Sequence, residues 1–421
     1  MRAGLSESEV RAEDITHMVA VAAGMGREFR TLGLIGTGHF LSHLYQLALP
    51  PLFPLIMIDL DANLAGLGMA IGAYSVSTGI LQTPVGFLVD RIGGRRVLIA
   101  GLLVNAIGIV AAGFSTSLWM LGGFLMLAGA GNSVFHPADY ALLSASIDKS
   151  RIGRAFSLHS LSGTAGFAVA PLIMLGLATV WDWRIALFIV GAAGIAAAVM
   201  MMIQRKTILD VVPRATTEPK RNRKTTGWRA LMTRPMIMFF LFYAFLAGAG
   251  SGLNTFTVTA MIAIYDIELS SATATLTSFL VMSGVGVLLG GFVADRVKRH
   301  DFVLMAAYGV AAACLMLVAS RFLPFWLVIG TFAMAGFMRG LVNPARDILV
   351  RRAAPPGAVG SAFGFITTGF TVGQAFAPPV YGWLMDIGSP TTLFWLASAF
   401  TLIAIPLVFA SRERALYGEE T

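Results

Sequence analysis

Three apolar stretches of this 421-residue chain carry polar side chains at helical spacing, and these are the residues that could do chemistry. The first holds His39, His43, Gln46 and Pro50 at i, i+4, i+7 and i+11, which places them on one helix face. The second holds Asn132, His136, Asp139 and Tyr140, and the third Arg339, Asn343, Arg346 and Asp347. Ionisable groups inside a membrane span are costly unless paired or wetted, so each is a functional candidate. His39, His43, Gln46, His136, Arg339, Asn343 and Gln374 are candidates for binding a substrate. Asp139, Arg346 and Asp347 are candidates for proton coupling or gating. No metal site is expected, because two imidazoles on one face are too few and no carboxylate or thiol is adjacent to them.

The second and third stretches are related to each other. At an offset of 207, Pro137 matches Pro344, Ala138 matches Ala345, Gly153 matches Gly360, Phe156 matches Phe363, Gly166 matches Gly373, and Ala170-Pro171 matches Ala377-Pro378. His136 then corresponds to Asn343, and Asp139 to Arg346. Positions related by a two-fold axis can meet near it, so Asp139 and Arg346, of opposite charge, are a candidate pair between the two halves. Pairing within each half, such as Arg346 with Asp347, is the alternative. Pro137 and Pro344 each remove a backbone donor, so both helices should bend there.

The elements that must position these groups lie in lipid. The chain is 57% hydrophobic and only 12% charged, with a mean hydropathy of +0.77. Soluble domains are about a quarter charged. The net charge of +8 does not point to nucleic acid, because the charges cluster at the ends of apolar segments. Twelve such segments, near 31–58, 64–88, 96–114, 118–145, 153–179, 184–204, 235–262, 272–294, 302–320, 324–350, 358–384 and 391–411, are long enough to span a bilayer. The expected fold is an all-α membrane protein with twelve transmembrane helices in two six-helix repeats. Residues 1–30 read as a polar, mostly mobile tail, 31–204 and 235–411 as the two bundles, 205–234 as a linker and 412–421 as a second tail. Nine Lys and Arg fall between Arg205 and Arg234 against two acids, whereas the loops on the other side hold only Arg184 and Arg321. Positive residues stay inside, so both tails and the linker are expected in the cytoplasm and the protein in the cell's inner membrane.

Two charged turns mark the repeat most clearly. Gly86-Phe-Leu-Val-Asp90-Arg91-Ile-Gly93-Gly94-Arg95-Arg96 has a partner at an offset of 205, Gly291-Phe-Val-Ala-Asp295-Arg296-Val-Lys298-Arg299. Glycine suits a sharp bend or close helix packing, and the aspartate could cap a helix start. This turn is similar to the signature loop between the second and third helices of the major facilitator superfamily, and the chain resembles a member over nearly its whole length. The resemblance implies a conformational-switch role for Gly86, Asp90, Arg91, Gly93, Arg95, Arg96, Asp295 and Arg296, and a protein that works as a monomer. Phe135-His136-Pro137, His39 and Ala48-Leu49-Pro50-Pro51 look most like the fosmidomycin-resistance-like branch, whose members export small molecules.

The implied activity is secondary transport of a small organic molecule by alternating access about a site between the halves. The absence of a phosphate-cradling Gly-Lys-Ser/Thr motif argues against ATP as the driving force, and no nucleophile–base set suggests an enzyme or a cofactor. Protons are the expected coupling ion, since Asp139, His136, His39 and His43 can titrate. Arg339 and Arg346 favour an anion as substrate. Proton-coupled uptake or exchange of a metabolite competes with efflux, and a transport-inactive scaffold or sensor is a third reading.

Overall fold

The computed structural model describes residues 7–148, 151–209, 232–354 and 359–410, so most of the linker and the C-terminal tail lie outside the described residues. What is described is helical. Helix α1 runs over Glu7–Gln46, a single 3-10 turn over Pro50–Leu52, and α2 over Phe53–Leu60. Then come α3 (Leu64–Ile92), α4 (Gly94–Gly113), α5 (Leu118–Asn132), α6 (Phe135–Ser146), α7 (Ile152–Val180) and α8 (Trp183–Ile203). The second half comprises α9 (Arg234–Tyr265), α10 (Leu269–Arg296), α11 (His300–Ala319), α12 (Phe325–Leu341), α13 (Asn343–Ala353), α14 (Val359–Ile387) and α15 (Thr392–Ala410).

Prolines explain where spans are broken into two helices. Pro50 and Pro51 end the first span's main helix, and Pro54 then sits in the first turn of α2, where a missing N–H costs nothing. The breaks between α5 and α6 and between α12 and α13 fall just ahead of Pro137 and Pro344, as their matched positions led one to expect. Among the described residues, eleven spans are long and apolar enough to cross a bilayer; the first covers Met25–Leu60. The twelfth, α14, has the length, but its Gly, Thr, Gln and Pro residues lower its hydropathy. Residues 7–30, read as a mostly mobile tail or a short interfacial helix around Ile15 to Met25, continue α1 as helix.

The packing repeats with the sequence. Helix α1 lies on α7 as α9 lies on α14, α3 on α5 as α10 on α12, and α4 on α8 as α11 on α15. Matched glycines make the closest approaches. A Cβ on Gly166 would strike the carbonyl of Phe40 in α1, and one on Gly373 would strike that of Ala244 in α9. Close backbone approach of this kind is how helices associate in lipid. The halves meet along two seams, α3 against α14 and α7 against α10.

The α3–α14 seam is closed tightly at the end away from the termini. Away from the termini, Gly68 and Gly72 of α3 press on the carbonyls of Pro378 and Ala375 of α14, and Gly382 presses on that of Leu64. Asp386, near the end of α14, reaches the start of α3: its Oδ1 accepts from Leu64 N at 3.0 Å and its Oδ2 from Ala65 N at 2.8 Å. Asn63 Oδ1 accepts from Gly66 N at 2.9 Å, so three N–H groups that the helix leaves unpaired are satisfied together. Nearer the termini Gly79 meets Thr371 and Gly284 meets Thr164. Beyond them Gly86, Gly291 and Gly364 have nothing within 4 Å of where a Cβ would stand.

Candidate functional site

The first half gathers its polar residues into one knot. Asp139 of α6 is fully buried, with its Oδ2 3.4 Å from His39 Nδ1 of α1 and 3.5 Å from His159 Nε2 of α7. The His39 ring lies 3.8 Å from His159, 4.5 Å from His43 and 5.7 Å from His136, centroid to centroid. Phe167 closes one side, 4.4 Å from His43. His136 and Tyr140 are the exposed members of the group, and Tyr140 lies within electrostatic reach of Asp347 in the other half. Glycine makes room for the rings: a Cβ on Gly163 would stand 2.7 Å from His39 Nε2 and 2.8 Å from His43 Cδ2. No Lys or Arg pairs with Asp139 among the described residues.

The second half is cationic. Arg346 donates through Nε to Asp347 Oδ1 at 3.1 Å, and its guanidinium stands 4.7 Å above the Tyr243 ring. Tyr243 donates its hydroxyl to the same Asp347 oxygen at 3.0 Å. Arg339, in the last turn of α12, donates through Nη2 to the Leu246 carbonyl at 2.9 Å and packs against Gly250. It lines a small cavity with Tyr308, Leu253, Phe279 and Thr401. No carboxylate lies within ion-pair distance of it among the described residues.

Several expectations change at this level. Asp139 and Arg346 do not pair across the halves in this conformation; each is engaged by neighbours in its own half. Asp139 stands against His39 and His159 of the helices packed on α6, and Arg346 against the neighbouring Asp347. A carboxylate does stand beside His39, and a third imidazole joins it, so the sequence-based reason against a metal no longer holds. His159 is not among the residues that helical spacing singles out. Its role depends on the α1, α6 and α7 crossing, which no local spacing encodes. Gln46 donates weakly to the Ser42 carbonyl at 3.5 Å, and Gln374 contributes its backbone carbonyl to Ser251 at 3.4 Å. Asn343 is half-buried at the first turn of α13.

The charged turns stand apart from this knot. Gly93 alone joins α3 to α4, with φ 93°. Asp90, Arg91, Arg96, Asp295 and Arg296 are exposed, and neither aspartate caps the helix that follows. Gly86, expected in close packing, meets nothing here, because it lies beyond the point where α3 leaves α14. Arg95 ties the start of the linker to α4, its Nη1 donating to the carbonyls of Arg205 at 2.7 Å and Ile208 at 3.0 Å.

Residues 35–274 and 240–420 each match the sequence profile described as Major Facilitator Superfamily. The chain belongs to the Major Facilitator Superfamily. It is a multi-pass membrane transporter of that superfamily, with its two six-helix repeats. The chain is 23% identical over 417 residues to the fosmidomycin resistance protein of Escherichia coli, covering 94% of this chain and 97% of that one. It is 24% identical over 388 residues to the multidrug resistance protein MdtH of Escherichia coli, covering 86% and 91%. An uncharacterized MFS-type transporter of Bacillus subtilis, YfnC, is 24% identical over 354 residues, 83% of each. Among solved structures, a bacterial homolog of the human lysosomal transporter Spinster, inward-facing and unoccupied, superposes with a TM-score of 0.74 at 14% identity, covering 92% of this chain and 98% of that one. The nucleoside transporter NupG gives 0.74 at 16% identity, covering 91% and 100%. These superpositions speak to the superfamily fold.

Proposed function

We propose that this transporter exports a small organic anion from the cell by alternating access, driven by protons moving the other way. The observation that carries this reading is the seal at the end away from the termini, where Asp386 and the α3–α14 glycines hold the two halves together. With Lys and Arg concentrated on the terminal side, the sealed end faces away from the cytoplasm, as an inward-facing state requires. Both termini then lie in the cytoplasm, and the protein sits in the inner membrane and works as a monomer. The exposed charged turns act as the switch between states.

The two halves divide the labour. Arg339, a guanidinium inside the bundle without a carboxylate, offers an anionic substrate its charge and its fork of donors. His136, His43, Gln46, Asn343 and Gln374 supply neutral polar contacts. Asp139, in the first half, lies between imidazoles with no Lys or Arg partner among the described residues, so its charge needs a compensating cation in this state. A proton taken up there on one side and released on the other couples the gradient to the cycle, with Arg346 and Asp347 gating beside it. Efflux is favoured over uptake by the similarity to proteins named for resistance.

Two assays test this. Expression in a host lacking its own exporters should raise resistance to a small phosphonate, and growth on a metabolite as sole carbon source without resistance would favour uptake instead. In proteoliposomes, an imposed pH gradient should drive phosphonate accumulation. Transport indifferent to collapse of that gradient would remove protons from the scheme.

A further inference from the structure

We infer that His39, Asp139 and His159 form a binding site for a divalent transition-metal cation of the Zn2+, Co2+ or Ni2+ class. The inference rests on the reading above only in placing the cluster within a transport pathway, and it gives that cluster a second ligand besides the proton. Three helices supply one donor each: α1, α6 and α7. Asp139 Oδ2 stands 3.4 Å from His39 Nδ1 and 3.5 Å from His159 Nε2, and the donor atoms all lie within 4.8 Å of one another. Ligands at about 2.1 Å from a tetrahedral ion are about 3.4 Å apart, so both short edges already have the length that coordination requires.

The site is also buried and unsatisfied. His39, Asp139 and His159 are 4%, 0% and 1% exposed. His39 Nδ1, both oxygens of Asp139 and both ring nitrogens of His159 make no hydrogen bond. Buried polar atoms in native proteins are nearly always partnered, and several orphans converging on one point mark the place of an ion. Two imidazoles and a carboxylate suit zinc-like ions and disfavour magnesium or calcium, which want oxygen ligands. His43, whose Nδ1 is likewise unbonded, is next in line for the fourth position. Gly163 leaves the space in which His39 and His43 stand side by side. Because a metal needs these ligands deprotonated, metal and proton compete for the same atoms.

The test uses the full-length protein in nanodiscs, purified without a polyhistidine tag, with Co2+ as a spectroscopic probe and Zn2+ as competitor. One Co2+ per chain, with ligand-field bands lost on adding Zn2+, is the expected result. Asp139→Asn and His159→Asn should each weaken binding about tenfold or more, and Gly163→Ala should weaken it by crowding the rings. His300→Asn, in the second half, should bind as the parent does. Variants are compared only where their metal-free melting temperature matches the parent's; the near-isosteric Asp139→Asn is the variant chosen to meet that condition. No stoichiometric uptake, or uptake unchanged in both Asp139→Asn and His159→Asn, overturns the site. Metal binding in a protein whose transport ignores the pH gradient upholds the site and sinks only the proton reading. Proton-driven transport without metal binding does the reverse.

Discussion

At Asp139 a carboxylate lies between two imidazoles with no Lys or Arg to balance it among the described residues, which is what the proposed proton coupling rests on. Asp139→Asn keeps the shape and removes the charge. It should abolish net transport driven by a pH gradient while leaving substrate exchange between two loaded compartments intact, as flux measurements in proteoliposomes would show. Arg339 offers a different test. A charge-assisted hydrogen bond is worth about 1.5–3 kcal/mol, so Arg339→Gln should raise KM for an anionic substrate about ten- to hundredfold and leave a neutral analogue little changed. At this scale the sequence was half legible. The i, i+4 spacing put His39 and His43 on one face, and hydropathy marked Asp139 as out of place. That Asp139 turns toward His159 rather than Arg346 follows from a three-helix crossing, which spacing along one chain does not contain.

Helices in this molecule are positioned by where side chains are missing. Gly166 and Gly373, matched in the two repeats, let α7 and α14 touch the backbones of α1 and α9. Gly166→Ala should force those helices apart and cost about 1–3 kcal/mol, read as a lowered melting temperature. Gly176, on the same α7 but facing no neighbour within 4 Å, is the contrast: alanine there should be neutral or slightly stabilising, since it favours helix. Spans, proline breaks and the repeat were all readable from composition and offset, because each has a local cause. The grip of Asp386 on Leu64 and Ala65 was not, since 322 and 321 residues separate the partners and only the packing of α3 on α14 joins them.

For the whole molecule the state of one end reports on the other. On a Cys314→Ser background, Gly86→Cys should react readily with a membrane-impermeant thiol reagent applied from the cytoplasmic side, as that position meets nothing within 4 Å. Adding Asp386→Ala removes a helix cap of about 1–2 kcal/mol from the sealed end and should shift the population outward, slowing that reaction severalfold. An unchanged labelling rate would separate Asp386 from gating. The single residue between α3 and α4 bears on how such a shift spreads. Gly93 is a joint without slack, and its φ of 93° leaves little freedom for any other residue type. Helix α3 rides on the opposite half through α14, whereas α4 is anchored on α8 within its own. A tilt of α3 is therefore handed straight to α4, and lengthening the joint by two glycines should let the outer helices stay still while the inner ones rock, uncoupling strain at the membrane rim from movement at the centre.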